Sequence, residues 1–163
     1  MAGDHLDAAA VADIGTQTVV VRKYFERLRD RTRLLICSGN HDLDTRDPSG
    51  EKIARWLNTN ENPGVSSDGD SIVIDDVLFT ICPWWDGPQT RARIGEQLAS
   101  AAQTRTGEWI WIHHAPPDKS PTSWGGKRYF GDVELREWIE QYQPEIVISG
   151  HVHQSPFVND GSW

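Results

Sequence analysis

The sequence predicts a layered α/β fold, and three observations lead there. Apolar runs of strand length alternate along the chain with segments of helical period. Three of those runs stop directly at a histidine-bearing tetrapeptide: Gly39-Asn40-His41-Asp42, His113-His114-Ala115-Pro116 and Gly150-His151-Val152-His153. Polar and ligand-forming groups therefore collect at strand ends, where open α/β sheets place their sites.

Taken in order, residues 17–31 are predicted as a helix with Val20, Tyr24 and Leu28 on its inward stripe and Arg22, Arg29 and Arg31 mostly off it. Residues 34–37 form a short buried strand. Asp47-Pro48-Ser49-Gly50 makes a turn, with a short helix over 51–57 and a polar loop over 58–70. Residues 71–74 and 77–82 flank Asp75-Asp76 as a hairpin, although the pair is not the preferred Asn-Gly or Asp-Gly. A helix over 89–103 turns Ile94 and Leu98 inward, and 109–112 is a bulky strand. A helix over 133–142 has Asp132 as its N-cap, and 145–149 is the last strand.

At 163 residues the chain is the size of one domain, spanning 1–163. It has no apolar run long enough for a membrane span. A net charge of −8 disfavours a groove that tracks a nucleic-acid backbone and suits a cation binder better. Cys37 and Cys82 each lie in an apolar run and read as small buried residues rather than a disulfide, which predicts a reducing, cytoplasmic setting.

All six histidines, at positions 5, 41, 113, 114, 151 and 153, lie in short turn segments and none in a predicted helix, a distribution that favours a shared chemical task. Gly150-His151-Val152-His153 can place two imidazoles close enough to serve neighbouring metals, though His-x-His pairs also occur on ordinary surface loops. In Gly39-Asn40-His41-Asp42 the Asn40 carbonyl is a metal donor, His41 a proton or hydrogen-bond donor to substrate, and Asp42 the group that orients its ring. The bland alternative is a turn after a strand, which Gly-Asn makes unaided. Asp4 offers a carboxylate that could bridge two cations, with Asp7 as a helix cap or supporting partner. Lys127 and Arg128 could reach a phosphate, and Trp84-Trp85 could wall a pocket, but a solvated loop and a covered sheet edge explain them equally well.

In this order, Gly-Asp-x-x-Asp, Gly-Asn-His-Asp, a histidine after a strand and Gly-His-x-His resemble the calcineurin-like metallophosphoesterase superfamily over residues 3–153. The resemblance implies an α/β sandwich with two metal ions side by side at strand ends, activating water for in-line attack on phosphorus. Carried over by position, it implies Asp4 as the bridging carboxylate, Asn40, His114 and His151 on one metal, His153 on the other, and His41 as general acid. His114 stands two residues before Pro116, the family spacing; His113 is kept as the alternative. A mixed N/O donor set suits Mn, Fe or Zn better than Ca or Mg. The implied substrate is a small-molecule or protein phosphate mono- or diester; the alternative is a metal-binding module of the same fold without turnover. The family's leading Asp-x-His strand has no counterpart here, and the chain stops soon after its last motif. The expectation is a fold incomplete at both ends that holds one ion in preference to two and has little activity.

Overall fold

The computed structural model describes residues 1–57 and 64–153. Its centre is a four-stranded sheet in the order β5 (Ser71–Ile74), β6 (Val77–Ile81), β7 (Trp109–Ile112), β8 (Ile146–Ile148). β5 and β6 pair antiparallel across Asp75 and Asp76, whose φ of 49° and 66° are the left-handed values a tight hairpin turn requires. β6, β7 and β8 run parallel. Each parallel step is made by a helix, α2 (Pro88–Thr104) and then α3 (Val133–Tyr142), as parallel strands require a long crossover.

Both helices cover one face of this sheet. Ile94 and Leu98 of α2 and Leu135 of α3 pack with Leu78, Trp109 and Trp111 in one buried cluster. Trp109 and Trp111 are fully buried; the Trp109 indole N–H donates to the Thr80 hydroxyl at 2.8 Å, whereas the buried Trp111 indole N–H has no hydrogen-bond partner among the described residues. Asp132 caps α3, accepting from the Glu134 and Leu135 N–H groups.

A second core lies under α1 (Ile14–Arg29), where Phe25 packs with Leu6, Leu34, Ile36, Trp56 and Leu57. Here the predicted inward stripe is corrected: Val20, Tyr24 and Leu28 are exposed, and Ile14, Val21 and Phe25 face the core. Arg22 is also on the inner side, donating to the Trp56 carbonyl at 3.1 Å. A stripe read from periodicity gives the spacing of the buried face, and the tertiary partner selects which of two rotated faces it is.

The predicted helix over 51–57 is likewise replaced. Lys52–Ile53 is a strand, β3, paired antiparallel with β2 (Thr45–Arg46). The Asp47 carboxylate accepts from the Ser49 and Glu51 N–H groups and Gly50 has φ 89°, so the turn folds the chain back on itself instead of starting a helix. Of the predicted loop over 58–70, residues 58–63 lie outside the described ones; Val65–Ser66 is a strand, β4, parallel to β1 (Leu34–Leu35). Cys37 and Cys82 are buried and free. No helix among the described residues is long and apolar enough to cross a membrane.

Candidate metal centre

The N-terminal residues run beside the end of β1. The Met1 ammonium donates to the Leu35 carbonyl at 2.6 Å, Cys37 N–H donates to the Met1 carbonyl at 3.1 Å, and Ala2 forms a parallel bridge with Cys37. Gly3 (φ 77°) and Asp4 (φ 52°) then turn the chain sharply across the strand end. Both Gly3 and Gly39 are needed for the close approach: a Cβ on Gly3 would overlap the His114 ring, and one on Gly39 would overlap Asp4.

That docking brings four sequence-predicted residues together. His114 Nδ1 lies 2.6 Å from the Ala2 carbonyl, which can only accept, so Nδ1 carries the proton. In the neutral ring Nε2 is then a lone pair. It is buried, lacks an aligned hydrogen bond, and sits 3.0 Å from Asp4 Oδ2. Two acceptors facing each other at that distance need a positive charge between them. His151 Nδ1 lies 3.0 Å from Asn40 Oδ1, and the His114 and His151 ring centroids are 5.1 Å apart. One donor atom from each of Asp4, His114 and His151 lies within 4.8 Å of the others. Two ligands at about 2.0–2.2 Å from one ion are separated by roughly 3–3.5 Å; the Asp4–His114 pair has that spacing, and His151 stands near enough to join it after a small adjustment.

Without a metal ion, a proton on His114 Nε2 can supply the positive charge between His114 and Asp4. Burial works against charge on His114, but the Asp4 carboxylate and the Ala2 carbonyl outweigh it and hold its pKa above the ordinary value. His151 is pushed down, first by burial and then by His114. Burial would raise Asp4, but the neighbouring His114 ring, when protonated, and the hydrogen bond from the His41 N–H hold it low.

The other predicted residues lie differently. The Asp42 carboxylate does not orient the His41 ring: it is fully buried and accepts from the His5 and Leu6 N–H groups at 2.9 Å and from Gly39 N–H at 2.8 Å. It fastens the N-terminal segment to the Gly-Asn-His-Asp turn. The carboxylate nearest the His41 ring is Asp7, at 4.0 Å, and the ring itself is about 40% exposed at the rim. His153 is exposed and lies outside the Asp4–His114–His151 group, sharing a recess of about 300 Å³ with His151, Gly125 and Phe130.

Two histidines turn inward, so the shared task read from their distribution does not extend to all six. His5 lies 3.1 Å from the Cys37 carbonyl through Nε2 and packs edge-on against Phe25 and Trp56. His113 is fully buried, stacks on Trp85 and faces Asp132 at 3.6 Å, while its neighbour His114 faces Asp4. Alternation along the chain end after β7 sends adjacent side chains to opposite faces.

Trp84 lies against both His114 and His151. Lys127 and Arg128 are exposed on a hairpin closed by the Trp124–Tyr129 bridge; its Gly125 and Phe130 line the recess beside His151. A larger recess of about 780 Å³, lined by Asp68, Trp84, Arg93 and Gln97, contains none of the proposed donors, so volume alone does not locate the centre.

Asp68, which accepts from Ser38 N–H at 2.8 Å, has its pKa pushed up from 3.8 to about 7, chiefly by burial. A carboxyl raised in the folded state contributes stability below its unfolded pKa and loses it as pH rises through the folded value. Asp68→Asn is therefore expected to stabilise the chain by an amount that grows from about pH 4 to pH 7 and is flat above. The full shift is worth about 4 kcal/mol, and partial solvent contact reduces this to on the order of 2 kcal/mol. Urea unfolding of both proteins across that range checks it; a gain independent of pH would contradict it.

Among known proteins, the family model for calcineurin-like phosphoesterases matches residues 1–155. No curated protein and no solved structure is a significant match. With the family-model match spanning nearly the whole chain, the protein belongs to the calcineurin-like phosphoesterase family.

Proposed function

We propose that this chain hydrolyses phosphate esters at a metal centre held by Asp4, Asn40, His114 and His151, within a layered α/β sandwich of the metallophosphoesterase type. The observation that carries the reading is the buried His114 Nε2, its tautomer set by the Ala2 carbonyl, facing the Asp4 carboxylate at 3.0 Å. A backbone carbonyl that fixes the tautomer of a ligating histidine is the usual supporting contact of such centres.

When bound there, a divalent ion supplies Lewis-acid polarisation of phosphoryl oxygen and lowers the pKa of water. The chain's own residues do the rest. Asp4, tied to the His41 N–H at 3.1 Å, fixes the carboxylate against the turn that carries His41. The half-exposed His41 ring stands at the rim, where it can donate a proton to a leaving oxygen. His153 belongs to a second ion in this reading, and Mn, Fe or Zn suits the donor set. The substrate is a small-molecule or protein phosphate ester, with nucleic acid disfavoured by the net charge of −8.

A second reading, a metal-binding module without turnover, draws support from His153, which is exposed and outside the group of donors found among the described residues. Metal-stripped protein, reloaded with Mn²⁺ or Zn²⁺ and offered chromogenic phosphate mono- and diesters, separates the two. The expected result is about one ion per chain with slow, chelator-sensitive turnover. Binding without turnover favours the module, and no binding contradicts both.

A further inference from the structure

We infer that Trp84 is a positioning residue for the metal centre: its indole packs against the rings of His114 and His151 and holds both imidazoles in ligating orientation. This rests on the metal-centre reading above. The centroid distances are 5.5 Å to His114, edge-on, and 5.1 Å to His151, tilted. One side chain thus touches two donor rings that come from different strands, β7 and β8.

His151 has particular need of it. Its φ of 68° is the left-handed conformation that non-glycine residues adopt only when their surroundings over-determine it. Asn40 Oδ1 lies 3.0 Å from its Nδ1, and the residue lies on a turn whose far end, His153, is exposed. The broad indole face supplies the remaining constraint on the ring, since imidazole has no apolar anchor of its own.

Trp84 is itself firmly placed. Its backbone N–H donates to the Ser38 hydroxyl at 2.9 Å, which ties it to the residue preceding Gly39-Asn40-His41-Asp42. Its ring stacks on Trp85 at 4.6 Å, and the Arg91 guanidinium lies 3.7 Å from the Trp85 ring centroid. Arg91 in turn bridges Asp132 at 2.5 Å and Glu134 at 2.6 Å. A continuous set of packed groups therefore runs from the N-cap of α3 to both donor histidines, and loss of the indole leaves the rings free to take other rotamers while the sheet that carries them stays in place.

The test is Co²⁺ binding by wild type, Trp84→Ala and Trp84→Phe, read by titration and by the visible spectrum of the bound ion, with circular dichroism to verify folding. Supporting contacts of metal ligands are worth about tenfold to a hundredfold in affinity. Trp84→Ala is expected to lose affinity in that range and to change the Co²⁺ spectrum, and Trp84→Phe, which keeps a ring face, to recover most of both. In the metal-free proteins, the His114 and His151 ring resonances are expected to move in Trp84→Ala through loss of the indole ring current. If Trp84→Ala does not fold, Trp84→Leu, which fills volume without a ring face, takes its place with the same expectation. A folded variant without the indole that keeps wild-type affinity and spectrum overturns the inference alone. Wild type that binds no Co²⁺ overturns the metal-centre reading and this inference with it.

Discussion

Replacing His114 with alanine is expected to remove metal binding, lowering affinity for Mn²⁺ or Zn²⁺ by more than a hundredfold while the fold persists. Changes to the supporting contacts of a ligand already cost about tenfold to a hundredfold, and His114 is proposed as a ligand itself. Its removal takes away the only buried imidazole nitrogen that faces Asp4 among the described residues, and leaves that carboxylate without its nearest counter-group. His113→Ala is the informative comparison. His113 faces Trp85 and Asp132, so its loss is expected to lower thermal stability and leave metal affinity near wild type. Isothermal titration of both variants checks this, and the reverse pattern would assign the donor to His113.

Asp42→Ala is expected to be the most destabilising change at the site, by on the order of 3 kcal/mol, because it strands three N–H groups, of His5, Leu6 and Gly39, that Asp42 accepts. Each buried donor left unpaired costs about 1–3 kcal/mol, and partial hydration of the exposed edge offsets part of the sum. These bonds also hold the N-terminal segment against the Gly-Asn-His-Asp turn, so the same variant is expected to bind metal more weakly as Asp4 and Asn40 move apart. Denaturant unfolding alongside metal titration measures both losses. A variant of wild-type stability with only slowed turnover would restore the ring-orienting role predicted from sequence.

Where local chemistry decides structure, the sequence was legible. Asp132 as the cap of α3, the turn at Asp75-Asp76, and Ile94 and Leu98 as the buried face of α2 are all where residue type and spacing put them. Where a distant partner decides, it was not. Residues 51–57 have no intrinsic barrier to a helix, but the Asp47 turn and pairing with β2 draw Lys52–Ile53 into a strand. Val20, Tyr24 and Leu28 have sound helical spacing yet lie outward, because Phe25 is the side chain that meets Trp56 and Leu34.

The same division runs through the site. Motif order named residues that lie close together, but the histidine count overreached: the side-chain neighbours of His5 are Phe25 and Trp56, which no local pattern announces. The Ala2 carbonyl, which sets the His114 tautomer, carries no residue-type signal, since any residue offers a carbonyl. Trp84 was visible as a wall of some pocket from its place after Cys82-Pro83; which rings it meets emerges only when β6, β7 and β8 lie side by side.

Anomalous diffraction from crystals equilibrated with Mn²⁺ or Zn²⁺ tests the centre most directly. The expected result is an ion about 2.0–2.3 Å from Asp4 Oδ2, Asn40 Oδ1, His114 Nε2 and His151 Nδ1, drawn between the facing acceptors. An ion seated elsewhere at saturating metal, with His114 and Asp4 still in direct contact, would contradict it.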